Sequence, residues 1–311
     1  MIDFKIDNLS YQLGSLKISY NSMDKKFPSW NLKKVQEKTG IKFIYQSSQN
    51  EDVLALALKS AKKTLKNFDK NNIDCVIVVT QTAKNKLPSV SCLMQDKLGL
   101  NKNILSFDIN LGCSGFVHAL GIINSLLKNN LCKNALLVCA DTYTKFIHET
   151  NRACKSIFSD GAASCIISKN RKSKFKPSFN FYSDGSGGDD LIEKNGFIDM
   201  NGPKVFFFTT NTIPNLINNI LKKNKLKKEK VDYFIFHQAS KLVLDKLENI
   251  LKIPKDKIFN NYHQIGNTTS SSIPILLCEL KKKKKIKKNQ IIILSGFGVG
   301  LSAATCLIKW N

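Results

Sequence analysis

Residues 51–83, "EDVLALALKSAKKTLKNFDKNNIDCVIVVTQTA", decide the fold. Leucines and alanines at helical spacing are followed by a Lys/Asn link, then by the apolar run "CVIVV", which closes on Thr80–Gln81. This predicts an amphipathic helix, a turn, and a strand buried on both faces. Residues 211–240, "NTIPNLINNILKKNKLKKEKVDYFIFHQAS", repeat the order: helix, lysine-rich link, buried strand, and a polar close at His237–Gln238. Each segment leads into another helix, "SVSCLMQDKLGL" (89–100) and "KLVLDKLENILKI" (241–253). Short strands are expected next, in "ILSFDINLGCSG" (104–115) and in "KIFNNYHQIGNTTSSS" (257–272), each followed by an apolar helix. One more strand completes each half, "NALLVCADT" (134–142) and "IIILSGFGVG" (291–300). Matching points lie roughly 150–160 residues apart, which is one internal duplication and not a short-repeat array. Apolar strands alternating with helices imply an α/β protein with mostly parallel sheets covered on both faces. The expected division is 1–170 and 171–311.

The repeat places polar residues from both halves at strand C-termini, where α/β proteins hold their sites. In "FDINLGCSGFVHAL" (107–120), Cys113 sits between a strand and a helix that is apolar on nearly all sides. A helix N-terminus there is expected to favour the thiolate. Its counterpart in the second half is Asn267, and Thr80–Gln81 corresponds to His237–Gln238. Taken singly, a buried cysteine, a strand-end histidine and a Gly-Asn turn all have plain structural readings. Jointly the three are far more specific than singly.

Composition narrows the class. The chain has 311 residues, nine cysteines without a C-x-x-C pair, and four histidines without ligand spacing. A reduced, cytoplasmic protein without a metal site is expected, as is the absence of a signal peptide or membrane insertion. A net charge of +24 is concentrated in 221–230 and 281–288, but no aromatics interleave those lysines. A solvated surface, or a rim that meets an acidic protein, explains them better than nucleic acid.

The trio occurs with "TGIKF" (39–43), "GCSGF" (112–116), "FSDGAAS" (158–164), "SDGSGG" (183–188), "FHQAS" (236–240), "GNTTSSSIP" (266–274) and "GFGVGLS" (296–302). In this order over about residues 35–311, the chain resembles the thiolase-like condensing enzymes, most closely β-ketoacyl-acyl-carrier-protein synthase III. The resemblance implies a five-layered αβαβα fold and a catalytic trio of Cys113, His237 and Asn267. It implies decarboxylative condensation of a short acyl-CoA primer with malonyl-acyl-carrier protein, through an acyl-cysteine. Acyl-CoA and acyl-carrier protein are then the partners, a homodimer is expected, and no cofactor beyond the thioesters is needed. Backbone donors for the acyl oxyanion are expected at Cys113 and in the loop of Gly298, Val299 and Gly300. Arg152, Lys38, Leu87 and Ser240 fall at substrate-binding positions.

Related branches fit less well. The C-terminal glycine loop lacks the second cysteine of thiolases. Gln81 stands where hydroxymethylglutaryl-CoA synthases carry a glutamate base, and Asn267 stands where elongating synthases have histidine. Chalcone-synthase-like enzymes run longer. The chain also departs from its own branch. Lys34 falls where an adenine-stacking tryptophan is usual, Lys38 replaces an arginine, and Leu87 replaces a phenylalanine that the partner subunit contributes. These changes leave open a Cys-dependent transfer of the acyl group to an alcohol or amine. A basic binding protein without activity would not explain the trio.

Overall fold

The computed structural model describes residues 3–170, 173 and 175–311; residue 171, where the second half was expected to begin, lies outside them. The first sheet contains β1 (Asp3–Leu13), β2 (Cys75–Val79), β3 (Leu105–Ile109), β4 (Asn134–Asp141) and β5 (Gly161–Asn170), in the order β1-β5-β4-β2-β3. The second contains β6 (Ser178–Ser183), β7 (Tyr233–Phe236), β8 (Ile291–Gly298) and β9 (Ser302–Lys309), in the order β7-β8-β9-β6. Six helices cover them: α1 (Val53–Leu65), α2 (Val90–Leu98), α3 (Gly115–Lys128), α4 (Gly202–Lys223), α5 (Lys241–Leu251) and α6 (Ser272–Lys282).

Strand alternation separates the apolar side chains into three layers. Val76 and Val78 of β2 face outward onto Val53, Leu56 and Ala57 of α1 and Met94 of α2. Cys75, Ile77 and Val79 face inward, onto Phe116, Leu120 and Ile123 of α3 and Leu276 and Leu277 of α6. The other side of that central helix layer meets Ile235, Ile292 and Leu294 of the second sheet. Phe234, Phe236, Ile293 and Phe297 point away, onto Ile217 of α4 and Leu247 of α5. Helices, sheet, helices, sheet, helices give the five layers expected. Each fully buried leucine, isoleucine or phenylalanine contributes about 1.5–3 kcal/mol against leaving it in water.

Local signals set the helix ends. Asp52 accepts from the Ala55 N–H at 2.8 Å to cap α1, and Ser89 accepts from Cys92 to cap α2, which stops at Gly99 in the left-handed region (φ 60°).

Three features differ from expectation. The sheets are mixed, but parallel pairings (β2 with β3 and β4, β7 with β8) are joined by four antiparallel ones. The three residues between β8 and β9 permit only an antiparallel return, because a parallel one needs a long crossover. The short strand expected within 257–272 is reduced to two isolated bridges, Ile258 to Phe234 and Asn267 to Phe158. Helix α4 starts at Gly202, nine residues before the amphipathic pattern was legible, capped by Asn201 accepting from Lys204 N–H. Among the described residues no helix is long and apolar enough to cross a membrane.

Candidate active site

Cys113, His237 and Asn267 line one cavity of about 480 Å³, walled by Ile157, Phe158, Leu191, Phe206, Val243 and Phe297. Each is held by a different device. Cys113 lies in the turn between β3 and α3, two residues before the helix begins. The turn is closed by the Gly115 N–H donating to the Gly112 carbonyl at 2.8 Å. Glycines make this packing possible. A Cβ on Gly112 would fall 2.5 Å from Gln81 Oε1, and one on Gly115 would fall 2.3 Å from Val79 Cγ1. Gln81 is itself held by the Tyr143 hydroxyl, which donates to Oε1 at 2.5 Å.

His237 ends the buried strand β7, its N–H donating to the Ser295 carbonyl at 2.8 Å. Its ring stands edge-on to Phe297, with centroids 5.3 Å apart, and Nδ1 is 2.7 Å from Ser272 Oγ at the head of α6. Asn267 is gripped along its backbone by the first half: it donates to the Ile157 carbonyl at 3.0 Å and accepts from Ser159 N–H at 2.8 Å. The preceding Gly266 has φ +77° and a Cβ there would meet Ser159 Oγ at 2.4 Å, so glycine is required. Asn267 Oδ1 accepts from the Thr269 N–H at 2.9 Å, which leaves the side-chain NH₂ as the free donor. Thr269 has φ +50°, rare for a β-branched residue and costing about 1–3 kcal/mol.

The run "TTSSS" is thereby accounted for. Thr269 and Ser270 donate to Asp141, Ser271 donates to the Thr268 carbonyl, and Ser272 meets His237. "FSDGAAS" supplies the backbone that holds Asn267, and Asp160 within it accepts from Ser47 and Thr144 N–H groups. Asp184 of "SDGSGG" exchanges backbone hydrogen bonds with Leu301, bracing the C-terminal glycine loop.

The electrostatics correct one expectation. Cys113 was expected to favour the thiolate; instead burial pushes its thiol well above the ordinary range, and the negative charge of Asp141 adds to this. A neighbouring helix terminus does not offset enclosure in an apolar cavity. Burial also holds His237 neutral, lowering it to about 3. The site at rest therefore carries a neutral thiol and a neutral imidazole.

Of the four glycine-loop and nucleophile positions expected to donate to an oxyanion, Cys113 and Gly298 line the cavity. Val299 packs instead near Gly112, and Gly300 turns toward Ser302. Arg152, Lys38 and Ser240 line the same cavity. The Arg152 guanidinium donates to the Trp30 carbonyl at 3.1 Å, while the Trp30 ring is stacked on Phe27, 4.1 Å between centroids. Leu87 is 84% exposed and does not line this cavity. Two supporting contacts escaped the sequence reading, Ser272 on the His237 ring and Asp141 on Thr269 beside Asn267, because neither residue belongs to a periodic pattern.

The comparisons with known proteins agree in direction. A family model described as 3-oxoacyl-[acyl-carrier-protein (ACP)] synthase III matches residues 107–185, and one for the C-terminal part of that family matches 221–310. A β-ketoacyl-[acyl-carrier-protein] synthase III from Clostridium novyi is 34% identical, with 100% of both chains covered. One from Clostridium perfringens is 36% identical, covering 88% of this chain and 90% of the relative. A crystal structure of 3-oxoacyl-[acyl-carrier-protein] synthase III from Aquifex aeolicus superposes with a TM-score of 0.92 at 29% identity, covering 99% of this chain and all of that one. Another synthase III crystal structure gives 0.96 at 27% identity, with 99% and 100% covered.

Proposed function

The chain belongs to the β-ketoacyl-acyl-carrier-protein synthase III family, and on that premise we propose that it joins a short acyl-CoA primer to malonyl-acyl-carrier protein with loss of CO₂. The observation that carries this reading is the convergence of Cys113, His237 and Asn267, from both halves of the chain, on one apolar cavity. In the first step Cys113 sulfur attacks the acyl thioester, the acyl–S bond to CoA breaks, and CoA leaves with the thiol's proton. The acyl oxyanion formed on the way accepts backbone N–H bonds at Cys113 and Gly298. In the second step the malonyl C–C bond to the carboxylate breaks, and its electron pair passes into an enolate. A neutral His237 and the free NH₂ of Asn267 stabilise that oxygen, inside walls that keep water out. The enolate carbon then attacks the acyl-cysteine, the C–S bond breaks, and the Cys113 thiolate takes up one proton from solvent as the product leaves. Only CoA and phosphopantetheine thioesters are needed as reaction partners.

Roles follow for the remaining positions. Residues 1–170 supply the nucleophile and 171–311 the two donors. At the cavity, Arg152 suits the adenine of CoA, Lys38 its phosphates, and Ser240 its pantetheine arm. Lys38 at the cavity and the net charge of +24 suit an acidic carrier protein. A homodimer is supported by the unpaired outer edge of β3 and by the exposure of Leu87, Ile122 and Phe181. Leu87 would then close the partner's acyl pocket. The reaction is placed in the cytoplasm.

Incubating the protein with acyl-CoA and malonyl-acyl-carrier protein tests the reading. A 3-oxoacyl-carrier product with equimolar CO₂ supports it. Acyl transfer to an alcohol or amine without CO₂ would replace it.

A further inference from the structure

Behind Asn267 lies a carboxylate that none of these steps uses. Asp141 closes β4 and is fully buried. Its Oδ1 accepts from the Gln81 N–H at 2.9 Å, from Thr82 Oγ1 at 3.2 Å and from Thr80 Oγ1 at 3.4 Å. Its Oδ2 accepts from Thr269 Oγ1 at 2.7 Å and Ser270 Oγ at 2.6 Å. The first three partners end β2 in the first half; the other two stand before α6 in the second. A single side chain thus joins the nucleophile's half to the turn that presents Asn267.

Thr269 is the partner through which this reaches the cavity. Its left-handed backbone is what lets its N–H meet Asn267 Oδ1 and turns the NH₂ outward. The other contact of Thr269 Oγ1 is the carbonyl of the adjacent Thr268, at 2.8 Å, which moves with it. Asp141 is the distant anchor, 128 residues away in the chain.

We propose that Asp141 is a positioning residue for the decarboxylating half-reaction, holding Thr269 so that Asn267 is aimed at the enolate oxygen, whereas acylation of Cys113, which feels Asp141 only through its charge, proceeds without it. This rests on the condensation reading above.

The test measures two half-reactions of the whole enzyme. One is acylation of Cys113 by acetyl-, propionyl- and isobutyryl-CoA, followed by intact mass; the other is release of labelled CO₂ from malonyl-acyl-carrier protein. Asp141→Asn is expected to acylate within about threefold of the parent. Its CO₂ release should fall about 30-fold or more, since displacing an oriented group by about 1 Å costs on the order of 100-fold. Equal losses in both half-reactions, or unchanged CO₂ release, overturn the proposal. If Asp141→Asn does not fold, Thr269→Val must show the same split, and Thr269→Ser must recover most of the loss; CO₂ release by Thr269→Val at the parent's rate overturns it equally. A parent that neither acylates nor releases CO₂ refutes the condensation reading before any variant is compared, and this inference with it.

Discussion

A Cβ placed on Gly298 would stand 3.1 Å from the Cβ of Cys113 and 3.3 Å from its sulfur, so β8 ends directly against the nucleophile. Gly298→Ala crowds the sulfur side chain, which can shift only by leaving its attack position. Acylation of Cys113 should fall about 10-fold or more with little change in Tm. Gly296→Ala behaves differently, because its Cβ meets backbone, the Cys113 carbonyl oxygen at 2.6 Å and Ser114 Cα at 2.8 Å. It should cost about 1–3 kcal/mol of stability. Normal acylation by Gly298→Ala would show that the sulfur reacts without needing the space that glycine leaves.

The pH behaviour follows from burial. His237, lowered to about 3, stays neutral from pH 5 to 8, and the Cys113 thiol is raised. Alkylation of Cys113 by iodoacetamide should therefore climb steadily toward alkaline pH, without an inflection near 6.5. An inflection there would show that His237 titrates in the resting site.

The same group affects stability with a definite sign. Below pH 6.5 the unfolded chain protonates this histidine, while the folded protein resists until about 3. The unfolded state binds more protons in that window, so stability falls as pH drops from 6.5 toward 3, by about 1.4 kcal/mol per unit at most. Urea midpoints at pH 7 and pH 5 should converge more for His237→Gln than for the parent. Identical slopes would contradict the buried neutral imidazole.

Ser272→Ala removes the partner of His237 Nδ1 at 2.7 Å. The ring then loses its fixed tautomer and orientation. Condensation should slow about 10-fold, with Cys113 acylation nearly unchanged. A variant that loses both in parallel would mean that Ser272 only supports the start of α6.

Much of the architecture was legible because it rests on period. Alternating and helical patterns exposed the strand–helix order of the chain, including β7, which His237 follows, and the turn into α3 that carries Cys113. The start of α4 was hidden because "VFFFTT" (205–210) consists only of aromatic and β-branched residues, which masks a helical stripe until packing selects one face. Asp141 could not be recognised in "VCADT", since its partners are side chains 59 to 129 residues away and hydroxyl contacts leave no period. The state of Cys113 was misjudged for a related reason: a helix terminus can be read locally, whereas enclosure by residues from both sheets cannot.

The central claim is that Cys113 carries the acyl group while His237 and Asn267 serve the decarboxylation. It is tested most directly by intact-protein mass spectrometry after brief exposure to a panel of short acyl-CoAs, comparing the parent with Cys113→Ala, His237→Ala and Asn267→Ala. The account predicts a mass gain of one acyl group on the parent and on both donor variants, and none on Cys113→Ala. A gain that survives Cys113→Ala would contradict it.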